Sequence, residues 1–158
     1  MIMQFRKEVQ EQFKKAGWYP GRSVREKFDA IPRFHEFPQM AREFLYEYGD
    51  LDVPTLTQHA VGILNTKALL QGYYKIEEYL SSPAYYGNNL MTFPLADYPL
   101  DAACMECDAE GRIYIGGDFP GLISNHFIEG IEKVIMEDYS NTLKWDEEKS
   151  KWGKGDYE

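Results

Sequence analysis

The chain has 158 residues, 44% of them hydrophobic and 15% aromatic, which suits a single domain whose core needs no disulfide support and rules out a disordered chain. No apolar run approaches the ~20 residues that a bilayer-spanning helix needs, and two cysteines do not amount to a disulfide framework. The net charge of −9 is uneven: residues 1–33 hold eight Lys or Arg against four acids, leaving −13 to the remainder, a field that disfavours nucleic acid along most of the surface and either favours a basic partner or serves only solubility.

Met1 to Lys15 is rich in charge and lacks the unbroken apolar core of a signal peptide, so the cytoplasm is the default location. Phe5, Val9 and Phe13 fall at i, i+4 and i+8 and predict a helix over about 4–16. Gly17 is placed to stop it, because the residue past a helix end commonly needs positive φ. Pro20-Gly21 then supplies the two special positions of a type II turn. Trp18 and Tyr19 put two aromatics in this corner, where they can pin the helix to the body. Gly17, Trp18, Pro20, Gly21 and Arg22 are therefore read as architectural, with Arg22 able to bond carboxylates or backbone carbonyls nearby.

Ser23 and Glu26 match a capping box ahead of Val24, Phe28 and Ile31, a short helix that Pro32 ends. Pro38 suits the first turn of a third helix whose apolar set is Phe37, Met40, Ala41, Phe44, Leu45 and Tyr48, with Gly49 as its stop. Leu51, Val53, Val61 and Ile63 read as strand material broken near Pro54. Leu69, Tyr73, Ile76 and Leu80 predict a helix over about 67–80, weakened by Gly72. Pro83 and Gly87-Asn88-Asn89 form a loop whose Tyr85 and Tyr86 either pack on the core or face a partner.

Met91, Phe93 and Leu95 alternate with Thr92, Pro94 and Ala96, as an edge strand would. Two strands, 102–107 and 112–116, flank Asp108-Ala109-Glu110-Gly111 as a hairpin. The Gly116–Gly121 stretch reads as a bend leading to a last helix over about 125–138, with Phe127, Ile128, Ile131, Val134 and Ile135 on its apolar face. A mostly charged tail, 140–158, follows the domain of residues 1–139, with Trp145 and Trp152 as its anchors. Helices first and closely spaced strands later indicate an α+β fold with a mainly antiparallel sheet flanked by helices.

No catalytic, cofactor-binding or metal-ligating set emerges. Cys104 and Cys107 match C-x-x-C, but a strand would point them to opposite faces, and a zinc site needs four ligands. Buried thiols are the better account. Gly116-Gly117-Asp118 lacks the Lys-Ser/Thr of a phosphate-binding loop. His35, His59 and His126 are scattered, without a nucleophile motif beside them. Asp97, Asp101, Glu106, Asp108, Glu110 and Asp118 all fall in or beside the later strands. On a compact sheet they can gather into a negative patch suited to a basic protein surface, or form only a solvated face.

Several of these stretches resemble the third subgroup of the SUKH superfamily, the Smi/Knr-like immunity proteins of bacteria. The first helix with Ala16-Gly17-Trp18-Tyr19-Pro20-Gly21-Arg22 is similar to that subgroup's signature. Phe37-Pro38 into Ala41-Arg42-Glu43-Phe44-Leu45, then Tyr48-Gly49-Asp50-Leu51-Asp52-Val53, resembles its second block. Phe93-Pro94-Leu95-Ala96, the acidic hairpin 108–114 and the closing helix follow in order. Ala96 stands where a glycine is usual, and Asp50 where a second glycine is common. The resemblance implies an α+β fold and an immunity function, the neutralising of a toxin that is often a nuclease or nucleic-acid deaminase with a basic substrate surface. It carries no shared catalytic residues and no cofactor. The expectation is a non-enzymatic protein that binds a cognate toxin domain, not nucleic acid or membrane. A scaffold or regulatory binding module, and an unrecognised hydrolase, are the other classes left open.

Overall fold

The computed structural model describes residues 3–56, 62–98 and 103–154. Five α-helices and an eight-stranded antiparallel sheet occur among them. Helix α1 spans Lys7–Ala16, α2 Arg25–Asp29 and α3 Gln39–Tyr48, with a 3₁₀ turn at Phe34–Glu36. Strands β1 (Asp52–Pro54) and β2 (Ile63–Asn65) precede α4 (Ile76–Ser81). Then come β3 (Phe93–Tyr98), β4 (Ala103–Cys107), β5 (Ile113–Gly116), β6 (Gly121–Ser124), α5 (Phe127–Met136), β7 (Leu143–Asp146) and β8 (Lys151–Gly153). Each strand pairs with its neighbour in sequence, β1 through β8 in order, so the sheet is a meander and the fold is α+β.

The alternation of side chains along each strand gives the sheet two unlike faces. Phe93, Leu95, Met105, Cys107, Ile113 and Ile123 join the buried faces of α1, α3 and α5 in one large core. Its centre is aromatic: Phe5, Phe13, Phe44 and Tyr48 lie within 4.5–6.3 Å of one another, ring centre to ring centre. On the opposite face, Tyr86, Tyr114 and Leu122 form a small second cluster that Trp145 and Trp152 pack against from the β7–β8 hairpin.

Where sequence reasoning and structure part, the reasons are local. Gly49 ends α3, but at φ −72°. Glycine is needed there for space, since a Cβ would lie 2.3 Å from the Leu45 carbonyl oxygen and 2.4 Å from the Phe28 ring. The left-handed turn falls to Asp50, at φ 62°. Ser23 precedes the true N-cap, Val24, and the capping box does not form. The helix expected over 67–80 is broken at Gly72, which takes φ 75°, and only α4 remains. Strand β3 is interior, paired with both β2 and β4, and its register shifts between Pro94 and Ala96, the kind of bulge at which a sheet tolerates proline. The Gly116–Gly121 bend leads first into β6, a strand the pattern did not predict.

Candidate functional site

The corner after α1 is built as a closed joint. Gly17 takes φ 114° and caps α1. The Arg22 amide donates to the Tyr19 carbonyl at 3.1 Å, and Gly21 takes φ 83°, as a type II turn requires. The Trp18 ring stacks on Tyr48 at 5.3 Å, and its indole N–H donates to Glu47 at 3.0 Å. Arg22 Nη1 donates to the carbonyls of Glu47 and Gly49 at 2.7 and 2.8 Å, filling acceptors that the end of α3 leaves open. Tyr19 is the exception; it points outward, 60% exposed. These residues join the end of α1 to the end of α3.

The acidic positions do not form one patch. Asp101 lies outside the described residues. Asp108 is buried in the β4–β5 turn: its Oδ1 accepts the amides of Glu110 and Arg112, and its Oδ2 accepts the Tyr114 hydroxyl at 2.9 Å and pairs with Arg112 at 3.0 Å. It shapes the hairpin. Glu110 stands exposed at the same end of the hairpin, ion-paired with Arg112. Asp118 is exposed in the β5–β6 loop beside Phe119, which is 76% exposed.

Asp97 and Glu106 line one cleft. The pairings Asp97↔Cys104, Cys104↔Gly116 and Glu106↔Tyr114 put these residues on the sheet face away from the main core. The segment from Tyr74 through Tyr86 crosses that face and leaves a cleft of about 510 Å³. Tyr74, Tyr79, Tyr85 and Tyr86 line it together with Asp97, Cys104 and Glu106. Tyr74 donates to Asp97 at 2.9 Å, and Tyr85 donates to the Gly117 carbonyl at the rim at 3.2 Å. The rings of Tyr74 and Tyr79 meet edge to face.

Glu106 is the anomaly. It is only 2% exposed, and its Oε1 has no hydrogen-bond partner. Burial alone pushes its carboxyl up to about 8, because a charge there has lost its water and gained no donor. Its place depends on Gly116, where a Cβ would come within 2.9 Å of both carboxyl oxygens. Burial also pushes the Cys104 thiol up to about 12 and Cys107 well above its ordinary value; both are free and buried, on opposite faces. Among the described residues no group of three or more His, Cys, Asp or Glu is arranged to hold a metal ion, and no helix is long and apolar enough to cross a membrane.

Sequence reasoning named Asp97 and Glu106 but missed Tyr74, Tyr79 and Gly116. The available signal was the density of tyrosine between Tyr73 and Tyr86, of which the helical pattern took up only Tyr73 and the loop reading left Tyr85 and Tyr86 open between core and partner.

A family model described as SUKH-3 immunity protein matches residues 5–137, from the start of the helical corner to the end of α5. No curated protein and no solved structure matches.

Proposed function

The chain belongs to the SUKH-3 immunity protein family, and from that premise we propose that it protects a bacterial cell by binding one cognate toxin and occluding it, with no turnover of its own. The observation that carries this reading is the family match itself, which takes in α1 to α5 and the sheet between them. The finer reading concerns the toxin. A net charge of −9, the balance of +4 over residues 1–33 and −13 beyond them, supports a basic target surface, such as that of a nuclease or a nucleic-acid deaminase. Such a field speeds encounter with a positive surface and selects against wrong partners.

The test is co-expression with candidate toxin domains taken from the genes neighbouring this one. Growth should be restored, the two chains should copurify in a fixed ratio, and the association rate should fall steeply between low and high salt. Failure to protect and to copurify would overturn the immunity reading. An association rate indifferent to salt would overturn the basic-target reading alone.

A further inference from the structure

We infer that the tyrosine-lined cleft on the outer sheet face is a socket for a single arginine side chain of the partner protein, with Glu106 at its floor and Asp97 at its side. The inference rests on the immunity reading for the identity of the partner, and on the cleft itself for the chemistry.

Three observations converge. Glu106 lines the cleft at 2% exposure, with an oxygen that no described residue satisfies, and a buried unsatisfied acceptor costs the fold free energy with no return inside it. The strand beneath leaves room for it, since Gly116 is the residue that lets both oxygens lie where they do. The described residues lining the cleft include two carboxyls and four tyrosines and no lysine or arginine. What is missing is therefore a cation with several N–H donors and flat faces. Guanidinium fits better than ammonium: it pairs with carboxylates through a planar fork, stacks on aromatic rings and sheds water more readily.

The site also has a switch in its charge. Alone, the Glu106 carboxyl keeps its proton through neutral pH, since burial raises it to about 8. The groups around it are Tyr74 and Tyr79 from the crossing segment, Asp97 from β3, Cys104 from its own strand and Tyr114 from β5, and none of these is a cation. An arriving guanidinium supplies the first positive charge, favours the ionised form and drives the proton into solvent. Binding through this socket therefore releases a proton near pH 7, whereas a contact on the exposed rim does not.

The experiment titrates the whole protein with N-acetyl-arginine amide and with its neutral isostere, N-acetyl-citrulline amide, following Glu106 and tyrosine ring signals by NMR. Proton release is measured by calorimetry in two buffers of different ionisation enthalpy. The arginine probe should bind at least ~10-fold tighter than citrulline, the preference expected of a close charge pair, and should release a proton. Glu106→Gln should abolish both the preference and the release, and Gly116→Ala, which crowds the carboxyl, should weaken the preference. Equal binding of the two probes, or proton release that survives Glu106→Gln, would overturn the socket. With the adjacent toxin, Glu106→Gln should dissociate at least ~10-fold faster than the parent. A variant that holds the toxin as tightly as the parent sinks the socket and leaves the immunity reading intact. A parent chain that neither binds nor neutralises the toxin sinks the immunity reading, and the two-probe titration still decides the socket.

Discussion

On the helix side of the sheet, Trp18 sets its indole N–H on Glu47, and Arg22 sets its guanidinium on the last carbonyls of α3. On the other side, Glu106 is sealed with an oxygen that nothing meets. Thr66 sharpens the contrast: buried among the helix-side elements, its hydroxyl accepts the Leu51 amide at 3.0 Å and donates to the Tyr48 carbonyl at 2.8 Å. One face meets these polar groups as the chain folds, and the other, on the socket proposal, keeps an acceptor for a partner's cation. Glu106 is the carboxylate among the few buried side chains of the described residues that keep an unpartnered polar atom, and a buried acceptor left open inside a cleft is a pointer to function.

Breaking the finished face should have the largest effect. Trp18→Ala removes a stacked, nearly buried ring and should cost about 3–5 kcal/mol, read by chemical denaturation. A folded, equally stable variant that no longer neutralises the toxin would move Trp18 into the interface and dissolve the contrast.

The unfinished face should betray itself through pH. Burial raises Glu106 from 4.5 to about 8, so between those values the native protein holds a proton that the unfolded chain has lost. The unfolded state then binds fewer protons, and stability falls as pH rises through that window. The whole interval is worth on the order of 3–5 kcal/mol. Glu106→Gln should flatten this part of the curve and leave the variant more stable than the parent at pH 8. A parent whose stability is level from pH 5 to pH 8 would mean that Glu106 has a partner.

The smallest effect belongs to the rim. Glu110 is exposed, and its pairing with Arg112 is open to solvent, so Glu110→Gln should change stability by no more than about 0.5 kcal/mol in the same denaturation experiment. A larger loss would make the hairpin tip part of the structural frame, together with Asp108.

Much of the helix side was legible in the sequence. Phe5, Val9 and Phe13, the Phe37–Tyr48 set and the Phe127–Ile135 set repeat at helical spacing, and the Gly17 and Pro20-Gly21 chemistry dictated the corner. The errors arose where a local rule met a tertiary demand. Gly72 broke a helix that the apolar spacing supported, Pro94 was admitted to an interior strand by a bulge, and β6 was hidden in a glycine-rich stretch only four residues long. The candidate site was legible only as a list of acids. Its meaning depends on which of them is paired. Asp108 finds Tyr114 and Arg112 within six residues, while Glu106 owes its isolation to Gly116 across the ladder and to tyrosines some thirty residues upstream. No local pattern carries that.

The strand order has a consequence for how the molecule is made. Because each strand pairs with the next one to leave the ribosome, the sheet can zip up progressively, waiting longest where α4 separates β2 from β3 and α5 separates β6 from β7. The aromatic layer beneath it cannot. Helix α1 needs α5 as its other wall, and the Arg6 amide donates to Glu132, 126 residues away, at 2.6 Å. Until α5 is synthesised, Phe5, Phe13 and Phe44 lack part of their cover. Until α5 emerges the nascent chain therefore carries a half-built sheet and a sticky flank, which makes the arrival of α5 the step at which folding competes with aggregation.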